Sequence, residues 1–182
     1  YELFSKWADE EDRDFWAQAA VASRKYLVQA CSPITGMSAE YAEFDGSPMS
    51  RKLGWSNDRH DWFYSDSYRT VANIGLDYEW FGIDEGQCAA VDRLQEFLLE
   101  DARRNQFHTY EINGTVAQSD VLHPVAIIAT VAQGSLAANN PFTNEWIERF
   151  WNTPMRTGVR RYYDNCLYFF AFLALSGKYR IW

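Results

Sequence analysis

The sequence predicts an all-α protein in which helices are arranged in two layers. Apolar residues recur at the three- and four-residue spacing of a helix through most of the chain, and only one short stretch alternates as strands do. Helices that are apolar on nearly every side alternate with amphipathic helices. Because an all-apolar helix must be covered on every side, this alternation favours an inner layer of helices covered by an outer one. The long loops between some helices are not typical of a simple bundle.

The first part of the chain predicts two helices and a long irregular segment. A short helix end covers residues 1–8, and a longer helix covers 9–31, with acidic residues at its start and basic residues towards its end, as the helix dipole favours. Residues 32–64 then form an irregular stretch with Pro and Gly turns, and loops of this length are often functional. The predicted buried face of the longer helix consists of Phe15, Ala19, Ala22 and Tyr26.

The rest of the chain predicts five further helices, among them a short one at "TNEWIERFW", and one hairpin. The stretches "YSDSYRTVANIGLDYEWF" and "EGQCAAVDRLQEFLLEDARRN" are an apolar and an amphipathic helix in turn. Asn113-Gly114 lies between two alternating runs and predicts a β-hairpin, which also explains the glycosylation-like triplet there. Pro124 suits the first turn of the next helix, and the last helix, 160–177, is apolar all round and is predicted to be buried.

Length and composition indicate one globular domain over 1–182, with no internal boundary. Aromatic residues make up 17% of the chain, an unusually high share. Two interpretations stay open at this point: a large core, or a cleft lined with flat rings of the kind that binds sugars and nucleobases.

Charge and cysteine content exclude several classes of function. The net charge is −8 and no basic run is present, so we expect no nucleic-acid partner. The longest apolar run is too short to span a bilayer, so we expect no membrane insertion. The three cysteines show no metal-binding spacing, and we expect neither a metal nor another cofactor. They indicate packed thiols in a reducing compartment, which favours a cytoplasmic location, with secretion as the alternative.

A narrow polar edge runs along the otherwise apolar helix that starts near residue 65. It consists of Asp66, Arg69, Asn73 and Asp77. This edge is either an ordinary solvent-facing side or the wall of a cleft, and its position after an aromatic-rich loop favours the cleft. A carboxylate at a helix start, with an arginine one turn on, can act as a general base towards a bound water. Three other carboxylates compete for this role: Asp45, Asp61 and Asp164.

Four stretches closely resemble the C-terminal half of glycoside hydrolase family 8: "YSDSYRTVANIGLDYEWF", "TGMSAEYAEFDGSP", "LHPVAIIATVAQGSLA" and "FWNTPMRTGVRRYYDNCLYFFAFLALSG". Within that family the chain is most similar to the reducing-end xylose-releasing exo-oligoxylanases. The resemblance implies an (α/α)6 barrel of six inner and six outer helices around a cleft. This chain would supply about the C-terminal half of that barrel, and its partner would be the N-terminal half.

The resemblance also assigns catalytic roles. It implies that Asp66 is the general base of an inverting reaction and that Arg69 orients it. The catalytic acid, a glutamic acid on the other side of the sugar, would lie in the N-terminal half and outside this chain. The implied reaction is hydrolysis of β-1,4-xylo-oligosaccharides with release of xylose from the reducing end. Alternatives are another specificity of the family (endo-xylanase, cellulase or chitosanase) and a non-catalytic, helical sugar-binding fragment.

Four further positions are implied to bind substrate. His123, with Pro124, matches a step that closes the cleft near the reducing-end subsites, although taken alone His123 would be a helix-start residue without a ligand role. Arg161, Tyr162 and Tyr163 match sugar-contacting positions, with core packing as the alternative for the tyrosines. The sequence departs from the family pattern at 47–63, where a longer segment carries His60, Trp55 and Trp62, and at Ser32, where we expect a histidine.

Overall fold

The computed structural model describes residues 1–50 and 59–181, so Trp55 of the segment 47–63 lies outside the described residues. The described ranges hold seven α-helices, which confirms the predicted all-α class. Their bounds are α1 Glu2–Trp7, α2 Glu10–Ala30, α3 Tyr68–Phe81, α4 Gln87–Arg104, α5 Pro124–Gly134, α6 Thr143–Asn152 and α7 Arg161–Leu175. No helix in these ranges is long and apolar enough to cross a membrane.

Helix α5 is the centre of the molecule. Every residue from Ala126 to Gly134 is buried, and α5 packs against both α3 and α7. Helix α4 packs on α2, α3 and α5, and α6 packs on α5. The predicted layering is therefore present: α3, α5 and α7 form one layer, and the amphipathic helices α4 and α6 cover it, as in part of a helical barrel.

The inner helices α3 and α7 run in the same direction. Near their starts, the Tyr163 hydroxyl donates a hydrogen bond to the Ser65 carbonyl at 2.7 Å. Near their ends, the Trp80 indole N–H donates to the Tyr179 carbonyl at 3.0 Å. The ring of His123, directly before α5, packs against the Tyr163 ring with 4.4 Å between centroids and the two planes tilted by 46°. The starts of all three inner helices therefore meet at one end of the layer.

Helices α3 and α5 approach each other closely because both carry glycine at the crossing. A β-carbon added at Gly75 would lie 2.5 Å from the Gln133 carbonyl oxygen, and one added at Gly134 would lie 2.6 Å from a Val71 methyl carbon. The two backbones can touch only because these positions have no side chain.

The predicted hairpin is present and is part of a slightly larger sheet. Strands β2 (Thr109–Glu111) and β3 (Val116–Gln118) pair antiparallel on either side of Asn113-Gly114. Strand β1 (Trp62–Phe63) adds to the other edge of β2, with Trp62 opposite Glu111 and Phe63 opposite Tyr110. The end of the long loop is thereby tied to the hairpin just ahead of α3.

The predicted buried face of α2 is covered only in part: Ala19 and Tyr26 are half-buried, and the other two residues are exposed. Phe15 is 63% exposed and Ala22 is exposed, whereas Arg24 is only 4% exposed. Arg24 binds Asp77 through two hydrogen bonds of 2.7 Å and Glu2 through one of 3.0 Å. The hydrogen bonds that Arg24 donates to the Asp77 carboxylate raise the pKa of the guanidinium. This ion pair, which apolar periodicity cannot reveal, turns the helix so that its arginine faces inwards.

The prediction that the last helix is buried all round is wrong for this chain. Ala171 and Ala174 of α7 are buried against the other helices. Four large aromatic side chains of α7 are exposed by 42–82%: Tyr162, Phe169, Phe170 and Phe172. We call these four residues the α7 aromatic face.

Candidate active site

Asp66 lies in a 3₁₀ turn, Ser65–Ser67, that leads directly into α3. Arg69, one turn on, contacts the Asp66 carboxylate at 2.9 Å through Nη2, and its Nε donates to the Asp66 carbonyl at 3.3 Å. Both side chains are about half exposed, at 41% and 50%. The carboxylate is thus held by an arginine and remains open to solvent, which a base acting on a water requires.

The backbone that carries Asp66 is held in an uncommon conformation. Ser65 has a φ of 36°, in the left-handed region that non-glycine residues seldom adopt. Ser67 closes the turn, since the Tyr64 N–H donates to its hydroxyl at 2.9 Å and its own N–H donates to the Tyr64 carbonyl at 2.9 Å. Backbone strain of this kind persists where surrounding contacts impose it, and it is common at functional sites.

A buried acid–imidazole pair lies behind the base. Glu40 Oε2 and His60 Nδ1 are 2.6 Å apart, with side chains 10% and 7% exposed. The other oxygen of Glu40 accepts from the Asp66 backbone N–H at 3.4 Å. The sequence gives no spacing that links Glu40 to His60 or to Asp66. The available signal was weaker: both residues are ionisable and lie in the long loop predicted to be functional.

His123 is the residue immediately before α5, and it is 6% exposed. Its Nδ1 is 2.8 Å from an oxygen of Asp164, whose side chain is fully buried. The other oxygen of Asp164 accepts from the Ala126 N–H at 2.9 Å, near the start of α5. Asp164 is therefore built into the interior, whereas the Asp66 carboxylate is open to solvent.

Tyr163 connects the His123 side of the site to the Asp66 side. Its ring lies against the His123 ring, and its hydroxyl donates to the carbonyl of Ser65, the residue before Asp66. Burial raises the pKa of the Tyr163 hydroxyl well above its ordinary value, so the hydroxyl stays a donor at neutral pH. The structure thus brings Asp66, Arg69, His123 and Tyr163 together.

Arg161 and Tyr162 lie apart from this group. Tyr162 is 82% exposed on the α7 aromatic face, and Arg161 is exposed and donates to the Gly158 carbonyl at 3.0 Å. Both line an open cavity of about 510 Å³ together with Asn165, Cys166, Phe169 and Phe170. Neither Asp66 nor His123 is among the described residues of that lining.

Within the described residues, no group of three or more His, Cys, Asp and Glu side chains could hold a metal ion. The group at the helix starts offers a solvent-facing carboxylate, an arginine that fixes it and an imidazole oriented by a buried acid. These are the parts with which a site can position a sugar and activate a water beside it.

Comparison with known proteins gives relatives over the whole chain. It is 52% identical over 183 residues to the reducing end xylose-releasing exo-oligoxylanase of Halalkalibacterium halodurans. It is 50% identical over 182 residues to Rex8A of Paenibacillus barcinonensis and 54% identical over 187 residues to an exo-oligoxylanase of Bifidobacterium adolescentis. The matches cover 99–100% of this chain and 45–47% of the relatives, so the chain spans about half their length. No family model matches the chain.

Solved structures give the same relationship. Rex8A of Paenibacillus barcinonensis complexed with xylose matches with a TM-score of 0.92 at 49% identity, over 100% of this chain and 47% of that chain. A mutant reducing-end-xylose releasing exo-oligoxylanase complexed with xylobiose matches with a TM-score of 0.91 at 51% identity, with the same coverage. The chain is therefore a relative of the reducing-end xylose-releasing exo-oligoxylanases along its whole length.

Proposed function

We propose that this chain carries the base-bearing half of an inverting hydrolase that removes xylose from the reducing end of β-1,4-xylo-oligosaccharides. The observation that supports this most is the 50–54% identity, over essentially the whole chain, to three exo-oligoxylanases of this kind. The similarity to structures complexed with xylose and xylobiose supports the same substrate class.

Asp66 is the proposed general base, and Arg69 is the residue that orients it. Their contact at 2.9 Å and their exposure suit a carboxylate that takes a proton from a water at the anomeric carbon. The water then attacks the anomeric carbon from the face opposite the leaving oxygen, xylose leaves with that oxygen, and the shortened oligosaccharide carries the inverted configuration at its new reducing end. His123, Arg161, Tyr162 and Tyr163 are the proposed substrate-binding residues.

The proton for the leaving oxygen comes from a glutamic acid that we place in the N-terminal half of an (α/α)6 barrel of glycoside hydrolase family 8. The α7 aromatic face supports such a second half, because large exposed apolar patches usually mark a surface that another unit covers. The length of the relatives, about twice that of this chain, supports it further.

The direction of cleavage tests the proposal. Xylotriose labelled at its reducing end would be incubated with the enzyme that contains this chain and the other half of the barrel. We expect labelled xylose and unlabelled xylobiose as the first products, with the anomeric configuration inverted. Unlabelled xylose as the first product would exclude reducing-end release, and cleavage confined to longer chains would favour an endo-acting enzyme.

A further inference from the structure

We propose that Asp164 is a positioning residue of this site, acting through His123 and through its chain neighbour Tyr163. The proposal rests on the function proposed above. Asp164 is not expected to touch the sugar, since its side chain is fully buried. Its contacts nevertheless reach His123 and the start of α5, and its chain neighbour Tyr163 contacts the backbone just before Asp66.

The first contact fixes His123. The 2.8 Å contact occupies Nδ1 of His123; in the tautomer that carries its hydrogen on Nδ1, Asp164 accepts the hydrogen bond and Nε2 is the acceptor of the ring. The second oxygen of Asp164 accepts from the Ala126 N–H and holds the first turn of α5 in place. The imidazole and the backbone beneath it are thus fixed by one side chain.

Arg156 connects the Asp164 carboxylate to the backbone just before His123. Its Nη1 donates to Asp164 at 2.6 Å and to the carbonyl of Leu122, the residue before His123, at 2.6 Å. Asn165 in turn binds the Arg156 backbone through two side-chain hydrogen bonds of 2.9 and 3.0 Å. Residues on both sides of α7's start therefore hold the segment that ends in His123.

Tyr163 links this network of hydrogen bonds to the segment that carries Asp66. Because Tyr163 is adjacent to Asp164 on α7, the contacts that fix Asp164 also fix the position from which the Tyr163 hydroxyl reaches the Ser65 carbonyl. That carbonyl belongs to the residue with the left-handed φ of 36°, directly before Asp66. Displacement of a reacting group by about 1 Å can lower a rate by about 100-fold, so a positioning residue here has a measurable effect.

The test is Asp164→Asn in the enzyme that contains both halves, assayed on xylotriose labelled at the reducing end. The substitution retains the shape and one acceptor for the Ala126 N–H, but it turns an amide donor towards His123 and Arg156. We expect kcat/KM to fall about 10- to 100-fold, with kcat lowered and KM raised, after correction for the folded fraction.

Asp77→Asn is the matched control. Asp77 is also a carboxylate bound by an arginine, at the opposite end of the inner layer, where it contacts Arg24. We expect it to lower the melting temperature while leaving kcat and KM of the folded enzyme within about twofold, as for a residue remote from the chemistry. Equal kinetic constants for Asp164→Asn and the parent enzyme would overturn the proposal.

A double-mutant cycle separates positioning from general weakening. In a His123→Ala background, Asp164→Asn should lose most of its effect on KM, since the ring that it orients is gone. An undiminished effect on KM would contradict action through His123. If Asp164→Asn does not fold, Arg156→Lys is used instead; its side chain is 25% exposed, and we expect kcat/KM to fall about 10-fold. Unchanged kinetics in that variant would also overturn the proposal.

The parent enzyme distinguishes this inference from the proposed function. A parent that releases no labelled xylose contradicts the proposed function. A parent that releases it, with an Asp164→Asn variant that does so equally well, contradicts only the role of Asp164.

Discussion

Asp66 and Arg69 form an ion pair at the surface. This pair fixes the orientation of the Asp66 carboxylate and adds little to the stability of the fold. Both side chains are about half exposed, and pairs of this kind contribute at most about 1 kcal/mol to stability. The arginine fork, however, binds both the carboxylate and the carbonyl of Asp66 and therefore fixes its direction.

Replacing Arg69 with lysine should therefore lower activity without lowering stability. We expect kcat to fall about 10- to 100-fold, because a single ammonium cannot hold both oxygens of Asp66. We expect the free energy of unfolding to change by less than about 0.5 kcal/mol. Kinetics on xylotriose and urea unfolding measure the two quantities.

Arg103→Lys is the control for this substitution. Arg103 also pairs with a carboxylate three residues earlier, Glu100, at 3.0 Å and at similar exposure, on the surface of α4. Its kinetics should match those of the parent. Equal losses of kcat in the two variants would mean that Arg69 has no specific role.

The Cys31 thiol should resist modification at neutral pH. It is 5% exposed, and burial raises its pKa to about 11, with the Arg93 charge partly opposing the shift. A raised thiol pKa leaves the protonated form dominant below that value, so at pH 8 only about one thiol in a thousand is the reactive thiolate.

Iodoacetamide labelling followed by mass spectrometry checks this. The peptide that contains Cys31 should be labelled slowly at pH 8 and faster as the pH rises towards 11, and quickly at pH 8 once the protein is unfolded in urea. Equal labelling rates in the folded and the unfolded protein would contradict the packed thiol.

At the scale of helices, periodicity predicts most of what the structure contains. The apolar and amphipathic pattern predicts α3, α4, α5 and α7, and Asn113-Gly114 predicts the hairpin. Strand β1 was missed because a two-residue strand has no measurable period. The face of α2 was predicted only in part, because an arginine paired with two carboxylates can be buried and apolar spacing does not show such pairs.

The candidate site was predictable in part. Residues one helical turn apart, such as Asp66 and Arg69, can be paired from spacing alone. Glu40, His60 and the His123–Asp164 contact join positions 20 to 41 residues apart, and a single sequence carries no signal for such contacts. The family resemblance implied that His123 binds substrate, but it did not show that Asp164 contacts its ring.

The crossing of α3 and α5 gives a prediction for Gly75. Alanine normally stabilises a helix over glycine by about 1 kcal/mol. At Gly75 the added methyl would lie 2.5 Å from the Gln133 carbonyl oxygen, so α5 must shift. We expect Gly75→Ala to destabilise the protein by about 1–3 kcal/mol, and to lower kcat because α3 and α5 carry Asp66 and His123 at their starts.

Thermal unfolding and steady-state kinetics measure both effects. Glu79→Ala, at an exposed position of the same helix, is the control and should leave both unchanged. A stabilised Gly75→Ala variant would contradict the close packing of the two helices.

At the scale of the molecule, we expect only some of the exposed aromatic residues to be covered in the complete enzyme. We propose that the three phenylalanines of the α7 aromatic face, Phe169, Phe170 and Phe172, pack against the other half of the barrel, whereas Phe44, which is fully exposed in the long loop, does not. Phe169→Asp should therefore lower the melting temperature of the complete enzyme by several degrees, because a buried, unpaired charge is costly.

Phe44→Asp provides the comparison, since it makes the same chemical change at a more exposed position. Its melting temperature should stay within about 1 °C of the parent value, as expected for a surface substitution. A Phe169→Asp enzyme that melts at the parent temperature would contradict the packing of these phenylalanines against the other half.

The identity of the general base is tested most directly by the turnover of Asp66→Asn. In the complete enzyme, with Asp61→Asn as the control carboxylate, we expect kcat for xylose release to fall about 10²- to 10⁴-fold while the melting temperature is retained. A folded Asp66→Asn enzyme that turns over at the parent rate would contradict the assignment of Asp66 as the base.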